Sequence, residues 1–362
     1  MKKILFIASH RPNRAPGQRF RFEMFFDELE KAGFGVELSF LLDEEADRIL
    51  YSKGNYFKKG LIALQSLRKR KADLKRAKDF DLVVIFREAL MTRSIFFEKA
   101  LAQAQVPMIF DFDDAIWIKD VSANNRILSV LKDENKIKKI LPLCSAVTAG
   151  NAYLADFAKP YNPQVHIIPS TIDEGIHKPI QVDKEDKRIC VGWSGSLTTM
   201  AHFESLLPVL EKLRAKYGQE VRLLSIGAKS SKAEELNIEY LPWNAASENE
   251  DLNQIDIGLM PLPNNKWTAG KCGMKALLYM AAGKATIVTP LGVNAEIIQH
   301  GLNGLHATSQ EDWYEAIVDL LENPSKSKQL GEAGRAKVVQ HYSKKAWTIP
   351  LIDVYKKAIN KH

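Results

Sequence analysis

Short apolar runs of strand length alternate with stretches of helical periodicity along nearly the whole chain, and this alternation limits the fold more than any other feature. Lys3–Ala8 reads as a buried strand. Phe20–Ala32 carries Phe22, Phe25, Phe26 and Leu29 at helical spacing before Gly33 supplies a stop. Val36–Leu41, Asp81–Phe86 and Pro107–Phe112 read as further strands, with a helical stretch at Ser94–Gln105, and Ala146–Ala149 and His166–Pro169 close the series. Such repetition predicts a parallel sheet covered on both faces. A polar break with Pro179 and the charged run 183–187 follows. A second series then opens, with strands at Ile189–Trp193, Val221–Ile226, Ile238–Leu241, Ile255–Met260 and Thr286–Thr289. Its helices are expected at Met200–Tyr217, Lys275–Ala282, Asn294–His300, Trp313–Glu322 and Lys326–His341. The expected organisation is an α/β domain over 1–170, a linker over 171–188, a second α/β domain over 189–340, and a terminal helix over 341–362 that packs back towards the first domain. Two such Rossmann-like halves facing each other make a central cleft, where ligands of these sheets bind.

The 362 residues exceed one ordinary core and suit two. The longest apolar runs are far too short to span a membrane. The apolar start is broken by His10, Arg11 and Arg14 too early for a signal peptide, so it reads as a strand. Three scattered cysteines argue against a disulfide framework and suit a reducing cytoplasm. The net charge of +7 is confined to the first half: residues 1–170 carry 28 Lys/Arg against 21 Asp/Glu, and residues 171–362 carry 23 of each. It peaks at Lys53–Lys78, where ten basic residues face one acid, Asp73. Such a stretch attracts an anionic membrane surface, a nucleic acid or a phosphorylated acceptor, or is simply a solvated helix face.

Four segments carry candidate chemistry. In Val191–Thr199 a buried strand runs into a turn of small residues. Gly195 permits close backbone approach there, and Ser196, Thr198 and Thr199 offer hydroxyls at the start of a helix, a place that suits phosphate. A plain capped turn looks the same. Lys271 and Lys275 are four apart at an expected helix start, where two cations oppose the helix dipole unless an anion lies between them; two solvated lysines are the alternative. Asp111, Asp113 and Asp114 follow the apolar run Pro107–Phe110, where Asp113 or Asp114 suits a general base or a contact to a ligand hydroxyl. A metal site or a capped turn is the alternative. The basic segment Ser9–Arg21, with Gly17, Arg19 and Arg21, reads as a mobile loop suited to phosphate or carboxylate, with Arg87 at another strand end beside it. Trp193, Tyr240 and Trp243 suit stacking on a flat ligand ring, or the core.

The run Lys275–Glu296 resembles the signature of family 4 glycosyltransferases, enzymes of the GT-B fold. The likeness extends to Ala149–Asn151 with Ile168–Asp173, to Val191–Ser196, to Ile226–Gly227 and to Asp256–Leu262. Pro16–Arg21 and Asp111–Trp117 look like a subgroup of these proteins. Two glutamates of the family's signature are absent, their places taken by Gly270 and Leu278. The basic pair that usually follows the second-domain loop is also absent, with Ser196, Thr198 and Thr199 there instead.

The resemblance implies transfer of a sugar from a nucleotide-sugar donor to a hydroxyl acceptor, with retention, by a hexosyltransferase in the synthesis of a cell-surface glycan or polysaccharide. Donor contacts are expected from Gly195, Ser196, Thr198, Thr199, Gly227, Trp243, Lys271, Lys275 and Asn294 on the second domain. Acceptor contacts are expected from Gly17, Arg19, Arg21 and Arg87, and catalysis from Asp113 and Asp114. No metal and no cofactor beyond the donor is expected. The partners expected are a glycan or lipid-linked acceptor and an anionic membrane surface, not nucleic acid. The place of work is the cytoplasm, with peripheral attachment to the inner membrane face. An inactive nucleotide-sugar-binding protein and a nucleotide-sugar epimerase are the alternatives. A nicotinamide dehydrogenase fits least, because no glycine fingerprint follows the first strand.

Overall fold

The computed structural model describes residues 1–118, 133, 135–181 and 186–360. Part of the charged run 183–187, the last two residues of the expected terminal helix, and residues 119–132 and 134 of the first half lie outside these. The chain divides into two compact units, Met1–Ser170 with Trp347–His362, and Thr171–Ala346. The stretch Thr171–Ile180 is bonded into the second unit: Lys178 N donates to Asn249 Oδ1 and Ile180 N to Asn253 Oδ1, each at 3.1 Å.

The first unit holds a parallel sheet of six strands, β1 (Lys2–His10), β2 (Phe34–Leu42), β3 (Leu82–Phe86), β4 (Met108–Phe112), β5 (Ala146–Ala149) and β6 (Val165–Ile167), in the order β2-β1-β3-β4-β5-β6. Ile4, Phe6 and Ala8 face one core with Phe22, Phe25 and Leu29, and the terminal helix Lys344–Asn360 adds Leu351, Val354, Tyr355 and Ala358 to it. The helix expected over Phe20–Ala32 is in three pieces: Pro16–Arg21, a 3₁₀ turn at Glu23–Phe25, and Phe26–Lys31. Phe22 breaks it at φ −145° and stacks its ring on Phe6, centroids 5.1 Å apart.

The second unit repeats the design with β7 (Ile189–Ser194), β8 (Val221–Ile226), β9 (Ile238–Leu241), β10 (Ile257–Met260), β11 (Ala285–Val288) and β12 (Leu305–His306), all parallel, in the order β12-β11-β10-β7-β8-β9. The two-residue β12 is too short to read from sequence. The helix expected over Met200–Tyr217 splits into Met200–Glu204 and Leu207–Tyr217. Pro208 cannot donate to Glu204, and its ring crowds that carbonyl.

In each sheet the chain reverses direction of winding beside the first strand, between β1 and β3 and between β7 and β10. Sheets of this kind bind their ligands outside the carboxyl ends of the strands at such a point. Among the described residues no helix is long and apolar enough to cross a membrane, and no disulfide joins the three buried cysteines.

Candidate functional site

In the second unit Gly195 to Thr199, Gly227 and Trp243 follow the carboxyl ends of β7, β8 and β9, while Lys271 and Lys275 follow β10 and Asn294 follows β11. Gly195 N donates to Ile226 O at 2.9 Å, and Gly227 N to Leu241 O at 2.8 Å. Gly227 has φ +92°, and a Cβ built there would lie 2.4 Å from Gly195 O. A side chain on Gly227 would push the two turns apart, and one on Gly195 would run into the Trp193 ring, so backbone lines the end of the sheet. Ser196 Oγ and Thr198 Oγ1 lie 2.8 Å apart, and both residues are exposed beyond Gly195. The turn differs from expectation in one respect. A 3₁₀ turn, Leu197–Thr199, and a helix of five residues follow it, so little helix dipole is available to an anion. Trp243 comes beside Gly227 and is fixed by its Nε1, which donates to Glu248 Oε1 at 2.8 Å; Glu248 Oε2 in turn meets His177 Nε2 at 3.3 Å.

The lysines stand at the start of helix Met274–Ala281. That helix begins after left-handed Gly273, so Lys271 precedes it in an extended conformation and only Lys275 lies on it. They nonetheless interact. Burial first, and the Lys271 charge second, lower the Lys275 pKa from its usual 10.5 to about 8. Lys275 Nζ stands 5.6 Å from the Trp193 ring centroid, and Lys271 Nζ 3.4 Å from that of Trp267. Among the described residues no carboxylate pairs with Lys275. Tyr279, one turn further on, is buried and accepts a hydrogen bond from Ser194 N at 2.7 Å, which ties the helix to the end of β7. Asn294 is fully buried. Its Nδ2 donates to Thr289 O at 3.2 Å, and its Oδ1, close to Gly273, has no hydrogen-bond partner. Such an acceptor is costly unless something donates to it.

In the first unit the winding reversal brings Gly17, Arg87 and Asp113 together. Arg87, at φ +60° after β3, donates from Nε to Asp113 Oδ1 at 2.7 Å, and a Cβ on Gly17 would lie 2.9 Å from Asp113 Oδ2. Asp114 turns aside, its Oδ1 accepting from Ala115 N at 3.0 Å. The guanidinium of Arg87 thus stands by Asp113. Among the described residues no three His, Cys, Asp or Glu side chains converge as metal ligands would.

Three expectations need correction. Arg21 is not available to an acceptor: its side chain has no exposure and forms a buried pair with Asp111, Nε to Oδ2 at 3.1 Å, and also donates to Ile168 O. Thr148 Oγ1 completes the cluster by donating to Asp111 Oδ1 at 2.6 Å. Asp111 itself lies inside β4 rather than after it. The segment Ser9–Arg21 is also not a loose loop. Gln18 bonds both the N–H and the C=O of His10, at 2.9 and 2.8 Å, and Pro16 starts a helix. Arg19 is half-buried, with its guanidinium 4.9 Å from the Phe20 ring centroid.

Sequence reasoning missed Asp47, which receives Arg11 at 3.2 Å and Arg14 at 2.5 Å and lies 3.6 Å from His10 Nδ1. Burial and the surrounding arginines lower the His10 pKa against the pull of Asp47. Nothing local marks Asp47, which reads as an ordinary first-turn acid. Tyr279 and Trp267 were missed as well; only the four-residue step from Lys275 to Tyr279 offered a signal.

Comparison with known proteins follows this geometry. Residues 188–323 match the family model of the glycosyl transferases group 1. No curated protein matches the sequence. Among solved structures, a sucrose-phosphate synthase from Thermosynechococcus elongatus superposes with a TM-score of 0.74 at 14% identity, all of both chains being covered. A glycosyltransferase from Rickettsia africae gives 0.71 at 14% identity over 100% of this chain and 99% of that one. Anabaena HepE, solved in complex with UDP-glucose, gives 0.64 at 13% identity over 100% and 99%. Two parallel-sheet units of this kind give the chain the GT-B fold, and within the second unit residues 188–323 match the model of the glycosyl transferases group 1.

Proposed function

We propose that the protein transfers a hexosyl unit from a nucleotide sugar to a hydroxyl of a glycan or lipid-linked acceptor, with retention and without a metal, in cell-surface glycan synthesis. The observation that carries this is Lys275, a half-buried ammonium with no carboxylate partner, beside Lys271 and the backbone-lined turns of Gly195 and Gly227. In this reading the two lysines take up the charge that develops on the diphosphate as its bond to the sugar breaks. Ser196, Thr198 and Thr199 donate to its oxygens, Asn294 Oδ1 accepts from a donor hydroxyl, and Trp243 flanks the base. On the first unit, Gly17, Arg19 and Arg87 position the acceptor and Asp113 takes its proton, with Asp114 beside it. Retention is carried over from the family resemblance. The work is placed in the cytoplasm, at an anionic membrane face reached through Lys53–Lys78.

Replacing Lys271 and Lys275 together by Ala should weaken nucleoside diphosphate binding by about 3–6 kcal/mol, at ~1.5–3 for each charged hydrogen bond. Unchanged affinity by calorimetry would take the lysines out of the site. One observation favours a second reading, a binding protein without turnover: the two signature glutamate positions hold buried Gly270 and Leu278. Slow hydrolysis of the bound donor, measured as release of free sugar, separates the two. Activity in the presence of EDTA tests the absence of a metal requirement.

A further inference from the structure

The helix Tyr56–Arg76 is held to the first unit by one face and shows the opposite face to solvent. The inner face is polar and well bonded. Arg70, only 1% exposed, donates to the carbonyls of Ala8 and Ala89 at 2.7 and 2.8 Å and pairs with Asp73 at 2.9 Å, while Ser39 Oγ donates to Asp73 at 2.6 Å. Ile62 and Ser66 complete this face. The helix is therefore docked without help from its outer apolar residues.

Those outer residues are large. Tyr56 is 67% exposed, Phe57 81%, Leu61 45%, Leu64 54% and Leu67 38%. Phe57, Leu61 and Leu64 follow the i, i+4, i+7 spacing of a single stripe, which Arg68, Lys71 and Lys75 continue towards the C-terminus. From Phe57 to Leu67 the apolar part runs ~15 Å. Lys53 and Lys58 precede it and Lys78 follows. Among the described residues none of the six cations Lys53, Lys58, Arg68, Lys71, Lys75 and Lys78 pairs with a carboxylate, and all are exposed. An ordinary solvated face would be polar throughout. This one is apolar in its first half and cationic in its second.

We infer that this helix is a membrane-interface helix. Its first half seats Phe57, Leu61 and Leu64 at the acyl boundary of an anionic bilayer, and Arg68, Lys71 and Lys75 lie against the phosphate headgroups. The uniform positive charge selects an anionic surface, and the long lysine stems let the charge stay in the headgroup layer while the stripe sinks. The inference rests on the proposed work at a membrane face and adds its mode of attachment: apolar insertion, not charge alone. It is independent of donor chemistry, so loss of nucleotide binding in the lysine variants above would leave it standing.

The test is sedimentation of the full chain with vesicles of phosphatidylcholine, with and without phosphatidylglycerol, at low and high salt. One variant carries Phe57→Gln, Leu61→Gln and Leu64→Gln; another carries Arg68→Gln, Lys71→Gln and Lys75→Gln. All six positions are exposed, and unchanged thermal unfolding confirms that both variants fold. The wild type should bind only the anionic vesicles and keep part of that binding at high salt. Each variant should bind on the order of tenfold more weakly, and what remains in the apolar variant should vanish with salt. Wild-type affinity in the apolar variant would overturn insertion in favour of charge alone. Failure of the wild type to bind anionic vesicles would overturn the inference entirely, as would a dimer in solution that the apolar variant turns into a monomer.

Discussion

Lys275 shows how much a single side chain reports about its surroundings. Burial has brought its pKa down to about 8, so between there and 10.5 the folded chain binds fewer protons than the unfolded one. Stability should therefore rise with pH across that window, the penalty being fully present below 8. Lys275→Met should abolish this rise in thermal melts and be the more stable protein at neutral pH. A diphosphate needs the charged form, so affinity should fall above pH 8. Binding near pH 8 should take up protons, seen as a dependence of the calorimetric heat on the buffer's ionisation enthalpy. Arg21 and Asp111 test the opposite case, a buried pair whose charges answer each other. Asp111→Asn alone leaves the guanidinium without its countercharge and should cost about 3–5 kcal/mol in denaturant unfolding, while Arg21→Met with Asp111→Leu should recover part of it.

At the scale of elements, the turns after β7 and β8 act as one unit, because Gly227 sits against the carbonyl of Gly195. Gly227→Ala forces both a left-handed alanine and a clash of backbone. It should cost about 1–3 kcal/mol of stability and weaken nucleoside diphosphate binding through the displaced Gly195–Thr199 turn; chemical denaturation and calorimetry read the two effects separately. The strands were legible because a parallel strand buried on both faces has to be apolar along its length, as Leu82–Phe86 is. Helix breaks were less so. Pro208 announced itself in sequence, but the break at Phe22 depends on Phe6, which belongs to another element.

The whole molecule closes its first unit with the last helix of the chain. Leu351, Val354, Tyr355 and Ala358 join a core otherwise built from the first strands, and Tyr355 meets Phe6 edge-on with centroids 6.1 Å apart. A chain ending at Ala346 should expose that core. Its first unit should lose its thermal transition and become sensitive to limited proteolysis, while the transition of the second unit stays in place. Equal stability of both units would show that the helix is an accessory. Pro350 lies inside this helix, four residues beyond Ala346, where the second unit ends. The helix thus lacks one backbone hydrogen bond at the point where it passes between units.

The sequence by itself determined the strand–helix alternation, the two-unit plan and the ordered motifs of the resemblance, since each depends on residues close together in the chain. It also singled out Lys271 and Lys275. Tertiary structure alone decided which charges are spent. Arg21 and Asp111 are 90 positions apart, so only the packing of the first helix against β4 could turn an expected acceptor contact into a core pair. The basic helix makes the same point in reverse. Its sequence offers Ile62 and Leu64 as equally apolar and Arg70 and Lys71 as equally charged. Carbonyls at Ala8 in β1 and at Ala89 in the bend after β3, both distant in the chain, bury Arg70 and so leave Leu64 and Lys71 facing outward.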